Sequence, residues 1–389
     1  NLRRIYDLCD FGPGSSIGVG GFATSLARKI SAEEWTLTRG AEPYVMGALF
    51  NNHQVREHVM RTNGQLTGPP EGFQAFCGRV RPRLKYVGAN KISFVPKTAK
   101  THRSIAVEPL LNGFVQKGID QYMRILLRKH GIDLSDQTLN QQLAYLGSKD
   151  LGWASPATID LSSASDSVSM ELVRALLPSE WYELLSRTRS PSYTLTGDDD
   201  RVSYEKFVSM GNGFCFPLET LIFAALAHGI GCEFVSVYGD DIIVPKHRAL
   251  HLIEVLRWCG FATNVDKTCV TGLFRESCGE HWYNGLGVNP VYLRNNLSDF
   301  EQVASAHNRL ATTQDVRWLR ELYPPRVRFV RPYKGDPLSA FEVELDEFMV
   351  SGFARFERDT FNWSWLEVTH TSVRDQLDNV PNREWLEYT

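Results

Sequence analysis

Residues 235–247 read VSVYGDDIIVPKH, with two acids, Asp240 and Asp241, side by side between apolar runs. In a regular strand successive side chains point to opposite faces, so neighbouring carboxylates serve one site only where the backbone bends. Gly239 supplies the freedom for that bend, including positive φ. The apolar flanks predict two buried strands joined by a tight turn, with Pro245 closing the second. Carboxylates crowded there repel and raise each other's pKa, a penalty that a divalent cation removes. Hard oxygen ligands favour Mg²⁺ or Mn²⁺ over zinc.

Working outward, a third acid ends the apolar run ATID: Asp160. If that strand lies beside the 235–245 hairpin, Asp160 faces Asp240 and Asp241. Two metals about 3.5–4 Å apart, bridged by carboxylates, are the device of in-line phosphoryl or nucleotidyl transfer. SSASDS follows as a turn and helix N-cap, and a helix is predicted from Val168 to Leu177, stopped by Pro178. A second GDD lies at 197–199 in TGDDDR, but its flanks alternate with polar residues. Asp198, Asp199 and Asp200 therefore read as the wet tip of a hairpin over 192–207. MGNGF (210–214) is a Gly-rich loop leading into the apolar helix FPLETLIFAALAHG. HRALHLIEVLRWCG (247–260) predicts an amphipathic helix with Leu250, Ile253, Leu256 and Trp258 on its apolar face. FATNVDKTCV continues as an extended segment. The order strand, helix, helix, hairpin, helix, strand predicts an α+β fold, an antiparallel sheet packed on helices.

The chain has 389 residues, 43% of them hydrophobic, enough for two or three subdomains. No apolar run approaches the roughly 20 residues that cross a bilayer, so no membrane partner is expected. NLRRIYDLCD at the start has no apolar core and is not expected to be a signal peptide. It lacks an initiator Met, so the chain is expected to be processed, trimmed or partial. Seven scattered cysteines without a CxxC suit a reducing cytoplasm, and the CxxH at Cys278 and His281 lacks the second pair a zinc finger needs. GVGGFA fits a dinucleotide-binding fingerprint only superficially, since it follows a Gly/Pro/Ser loop and no apolar strand.

Net charge is −3, yet Gly72–Val107 carries eight Lys/Arg and no acid. Eleven acids face four Arg from Phe341 onward. The basic stretch is either a local polyanion site or a solvated face.

The segments VPKTAKTHRSIAVEP (95–109), IDLSSASDSVS (159–169), SMGNGFCFPLETLIF (209–223), VYGDDIIVP (237–245) and NVDKTCVTGLFRESCG (264–279) together resemble the palm of viral RNA-directed RNA polymerases. Specifically, they are similar to the replicase subunit of positive-strand RNA bacteriophages, the levivirus group. The resemblance covers about 95–280. It implies that Asp160, Asp240 and Asp241 bind two Mg²⁺ ions, with Mn²⁺ as an alternative. Asp166 and Asn212 would recognise the ribose 2′-OH, and Gly211 and Gly213 would let the backbone approach the nascent base pair; for Asn212 a turn-forming role stays open. Lys97, Lys100 and Arg103 would neutralise triphosphate charge at the nucleotide entry, with a solvated or RNA-backbone role open for each. Glu108 and Pro109 would shape that strand, Glu108 pairing with a basic neighbour. Lys267 would give a proton to pyrophosphate or act as a structural lysine near phosphate. Arg275 and Glu276 would hold the primer end, beside a packing Cys278.

The resemblance further implies a right-hand polymerase. Fingers would occupy 1–155, with the 178–208 hairpin inserted; the palm 156–290; the thumb, mixed and mostly helical, 291–389. The implied reaction is template-directed RNA synthesis from NTPs in the cytoplasm of an infected bacterium. Implied partners are template and product RNA, host elongation factors Tu and Ts, and a ribosomal protein. Two other readings remain at this point: a reverse transcriptase, disfavoured by Asp166, and a catalytically inactive RNA-binding descendant, disfavoured by the intact acids. The resemblance leads one to expect a chain shorter at both ends than such replicases, a fragment or a compact relative.

Overall fold

A computed structural model describes residues 1–20, 24–61, 72–97, 100–195, 200–290, 297, 299–311, 316–332, 338–358 and 362–365. These fall into two compact units, Asn1–Asn289 and Pro290–Thr389.

The first unit is built around the hairpin predicted at the YGDD turn. Strands Ser236–Tyr238 and Asp241–Pro245 pair antiparallel, with Asp241 opposite Tyr238, so Gly239 and Asp240 form the two-residue turn. Pro156–Ile159 pairs antiparallel on the other edge, Ile159 opposite Ile242 and Pro156 opposite Pro245. One step further along that ladder the chain reaches Asp160 on one strand and Asp241 on the other. The inner strands alternate little because both faces are covered: Ala157, Ile159, Ile242, Ile243 and Val244 are all buried.

Helix Cys215–Gly229 packs behind this sheet. It is apolar nearly all round, with Leu218, Ile222, Phe223 and Ala227 buried, as a central helix must be. The 20-residue helix Leu110–Lys129 lies beside it, burying Leu111, Phe114, Val115 and Ile119 and ending on Arg128 and Lys129, which suit the negative end of its dipole. The predicted 247–260 helix forms as Lys246–Trp258, but its buried face is Ala249, Leu252 and Leu256. Leu250 and Trp258 fall off that arc and are exposed, so the face runs one position from where the largest side chains suggested. The helix expected at 168–177 spans Met170–Leu176, capped by Ser169, whose hydroxyl accepts from Leu172 N at 3.1 Å.

A second sheet orders His102–Val107, Asn90–Pro96, Ser192–Leu195 and Val202–Ser203. The first two form an antiparallel hairpin carrying the basic stretch, and the last two form the predicted 192–207 hairpin. Asp198 and Asp199 at its tip lie outside the described residues; Asp200 is exposed. One hydrophobic core runs from Ile5 to Phe261, so packing is continuous across 155/156.

The second unit has helices Phe300–Leu310, Arg317–Arg320 and Leu345–Val350, with short strand pairs between and after them. Its core gathers Val303, Leu319, Phe341 and Phe348, and Phe300 meets Tyr323 and Phe341 edge-on. Its described residues mix short helices with short strands.

Candidate active site

The YGDD turn is held from behind. Gly239 has φ +65°, and its N–H donates to Thr220 Oγ1 at 3.0 Å. A Cβ at this position would meet Phe216 Cε2 at 2.3 Å, so only glycine lets the turn seat on the apolar helix. Asp241 accepts from Ser277 Oγ at 3.2 Å and from the backbone of Cys278. Its main-chain oxygen accepts from Asn140 Nδ2 at 3.3 Å, and Asn140 Oδ1 in turn takes Ser236 Oγ at 2.6 Å. Burial, then the charge of Asp240, pushes the Asp241 carboxyl up to about 6 despite those donors.

Asp160 sits where the strand Pro156–Ile159 ends. The NVDKT segment grips it: Asn264 Nδ2 donates to Asp160 Oδ2 at 2.9 Å, Asn264 N to its carbonyl at 2.9 Å, and its own N–H donates to Thr268 Oγ1 at 3.3 Å. Burial raises its carboxyl above the ordinary range, Lys267 opposes that, and Asp240 adds to it.

These acids line one cavity of about 900 Å³ together with Asp166, Gly211, Asn212, Lys97, Arg103, Lys267 and Glu276. The sequence-predicted set is thus brought together, with three exceptions. Lys100 and Gly213 are both exposed, and neither is on the cavity wall. Arg275 is the third, and it corrects the expectation of a primer contact. Its side chain is 0% exposed, its Nε donates to Pro156 O at 2.9 Å and its Nη1 to Gly272 O at 2.9 Å and Phe274 O at 2.6 Å. It is an internal clip between the Asp160 strand and the Phe274–Ser277 strand, spent on carbonyls and closed to RNA. Glu276 does reach the cavity, but its carboxylate is engaged by Lys267 Nζ at 3.2 Å and His281 Nε2 at 3.6 Å. Burial alone would lower the Lys267 ammonium; Glu276 and Asp160 outweigh it and hold the pKa above its usual value.

The Gly loop docks on the basic hairpin. Gly211 has φ +112°, and a Cβ there would lie 2.2 Å from Ala106 O, while Ala106 N donates to Met210 O at 2.7 Å. Gly213 N donates to Gln116 Oε1 at 3.0 Å. Asn212 is 6% exposed, and its Oδ1 accepts from Phe214 N at 3.1 Å, so the turn-forming role is present. Asp166 does not pair with Asn212; its carboxylate is ion-paired with Lys206. Glu108 is buried and, among the described residues, makes no ion pair with a basic neighbour. It accepts from Asn90 Nδ2 at 2.8 Å, Gln116 Nε2 at 3.0 Å and Ser190 Oγ at 2.8 Å, with the Arg189 charge nearby.

A family model described as RNA replicase, beta-chain matches residues 60–330, more than half of the sequence. The chain belongs to the RNA replicase beta-chain family. It is 43% identical over 300 residues to the RNA-directed RNA polymerase subunit beta of Qbeta virus strain MX1, covering 69% of this chain and 50% of that protein. The corresponding subunit of Escherichia virus Qbeta is 49% identical over 261 residues, 61% of this chain and 44% of that one. The beta chain from Escherichia phage MS2 is 43% identical over 232 residues, covering 58% and 42%. The chain therefore spans about half the length, or less, of these curated relatives. The crystal structure of a human picobirnavirus RNA-dependent RNA polymerase aligns with a TM-score of 0.40 at 14% identity, over 60% of this chain and 55% of that one, too distant to argue from.

This replicase-family cavity contains residues that the motifs alone did not flag. Glu219, one turn past Cys215 on the apolar helix, lines it while 6% exposed. Burial and then Asp240 push its carboxyl up to about 8. A Glu inside the run FPLETLIF was the available signal, since an acid in an apolar helix rarely stays without a task. Asn264, which also lines the cavity, had no such signal, and neither did Lys206 and Thr268, which bond Asp166 and Asp160 from outside the lining. The hard oxygen donors and the mutual charge of Asp160, Asp240, Asp241 and Glu219 suit a divalent cation chemically. Among the described residues, no three Asp, Glu, His or Cys side chains converge on one ion as they stand. Nor is any described helix long and apolar enough to cross a membrane.

Proposed function

We propose that this replicase-family chain carries out template-directed RNA synthesis, transferring nucleotides from NTPs to an RNA 3′-OH. The observation that carries the reading is the shared cavity. Asp160, Asp240 and Asp241 line it from the strands around the YGDD turn, Lys97 and Arg103 from the basic hairpin, and Asp166 and Asn212 line it as well. Asp160, Asp240 and Asp241 would hold two Mg²⁺ ions, or Mn²⁺. Bound there, these ions supply Lewis-acid activation of the hydroxyl and neutralise charge on the departing pyrophosphate.

The chain's own groups do the rest. Lys97 and Arg103 meet the triphosphate as it enters, Arg103 through a fork that fits phosphate oxygens. The Asp166 carboxylate accepts from the ribose 2′-OH, and Asn212, its oxygen fixed by Phe214 N, is left with a donor for the same hydroxyl. Lys267, kept charged by Glu276 and Asp160, would give a proton to pyrophosphate. Glu276 acts as the positioning group for that ammonium.

In right-hand terms, 1–155 with 178–208 serve as fingers, 156–290 as palm and 291–389 as thumb. Template and product RNA would be held mainly through their backbones, leaving sequence choice to base pairing. The site of action would be the cytoplasm of an infected bacterium, alongside host elongation factors Tu and Ts and a ribosomal protein. The test is incorporation by the purified chain with Mg²⁺ on a C-rich RNA template. NTPs should be extended and dNTPs rejected. Equal use of dNTPs would make it a reverse transcriptase, and RNA binding without product would favour an inactive relative.

A further inference from the structure

A second cavity, of about 530 Å³, opens on the first unit and is lined by four arginines, Arg39, Arg187, Arg189 and Arg201, with Tyr86 beside them. Arg189 is 7% exposed. Its Nε has no hydrogen-bond partner, and its Nη1 reaches Ser190 O only at 3.5 Å. Its guanidinium lies 5.4 Å over the Phe207 ring, near Tyr182 and Glu108, and the two Glu108 oxygens already accept from Asn90, Gln116 and Ser190. A buried guanidinium with a ring on one side and an Nε left without a hydrogen bond favours an added anion.

The other arginines are held in place around it. Arg201 lies across Gly88, where a Cβ would fall 2.1 Å from its Nη1. Arg39 stands 5.0 Å over the Tyr86 ring, which is 42% exposed. The acids nearby are Glu183, paired with Arg187 at 2.9 Å, Glu42, which bonds the Tyr86 hydroxyl, and Asp200, the chain neighbour of Arg201. Guanidinium forks match phosphate oxygens, and an exposed aromatic face takes an unstacked base. Both together describe nucleic acid with its bases free, a single strand.

The position adds a length. The strand Asn90–Pro96 starts beside Gly88 and ends beside Lys97, so it joins this cavity to the acid-lined one. At about 3.3 Å per residue the two lie roughly 20 Å apart along it.

We propose that this cavity is a second RNA site, binding a single-stranded segment through Arg39, Arg189 and Arg201, with a base on Tyr86. That the polyanion is RNA rests on the polymerase reading above; that the site takes a phosphodiester strand rests on the arginines and the ring.

The experiment uses the chain carrying Asp240→Asn, so that no synthesis intervenes, and a fluorescent single-stranded RNA followed by anisotropy across a salt series. Arg39→Gln with Arg201→Gln, both at exposed positions, should weaken binding at least about tenfold. The slope of log affinity against log salt should fall by about 1.4, two contacts at roughly 0.7 each. Tyr86→Ala should weaken binding roughly fivefold or more with the slope unchanged. Unchanged affinity and slope in these variants, or no single-strand binding by the parent, would overturn the proposal. So would variants that lose ATP or inorganic phosphate binding while keeping RNA, since the cavity would then serve free phosphate compounds. If the unsubstituted chain makes no RNA but the arginine variants still lose the strand, the polymerase reading fails and this site stands.

Discussion

The two sides of the acid-lined cavity, the acidic wall and the basic wall, are held in opposite ways. The acidic wall is fixed from inside the fold: Asp160 by Asn264 and Thr268, Asp241 by Ser277 and Cys278, and the turn itself by Thr220 and the fit of Gly239 on Phe216. The basic wall, with Lys97 and Arg103, stands on an exposed hairpin. The difference follows from the charges. Like charges gathered on one wall separate unless the backbone holds them, whereas cations facing a polyanion are drawn to it and need less support. Arg275 is the limiting case, a cation turned wholly inward to keep the acidic wall in place.

If the acidic wall depends on internal scaffolding, changes there should cost stability or turnover. Arg275→Ala removes the donor for several carbonyls and should destabilise by about 3–5 kcal/mol. Urea unfolding followed by circular dichroism reads this directly, and a loss under 1 kcal/mol would mean the clip is dispensable. Gly239→Ala forces a Cβ against Phe216 at positive φ and should cost about 1–3 kcal/mol together with most activity. Asn264→Ala frees one oxygen of Asp160 and should lower kcat about tenfold, with little change in KM for NTP. A change confined to KM would move Asn264 from the scaffold to the substrate.

The smallest effect is one of pH. Burial raises the Glu108 carboxyl above its unfolded value, outweighing its three donors. The native state therefore holds its proton to higher pH than the unfolded chain. This contribution to stability is complete below the unfolded pKa, about 4.3, and is lost as pH rises through the folded one. Glu108→Gln should flatten that slope. Because an amide replaces an acceptor with a donor, it should also cost about 1 kcal/mol. Unfolding at a series of pH values checks both.

Much of the acidic wall was legible in the sequence, because a Gly–Asp–Asp between apolar runs leaves one way to bend, and an apolar strand ending in Asp160 leaves few neighbours. The antiparallel ladder and the apolar helix behind it followed from the same patterns. What could not be read was the orientation of long polar side chains. Arg275 and Glu276 are adjacent in one strand, so one had to face inward, but nothing in FRES says which. Asp166 finds Lys206 forty residues away, a pairing that only the tertiary fold creates. The buried face of Lys246–Trp258 was misplaced because Leu and Trp outweigh Ala249 in any hydrophobic count, while packing selected the smaller residue.

The central claim is that the acidic wall is the catalytic centre, and it is tested most directly by NTP incorporation on a C-rich RNA template, unsubstituted chain against Asp240→Asn. The account predicts a fall of more than about a hundredfold with folding and single-strand RNA binding unchanged. Equal activity in the two proteins would contradict it.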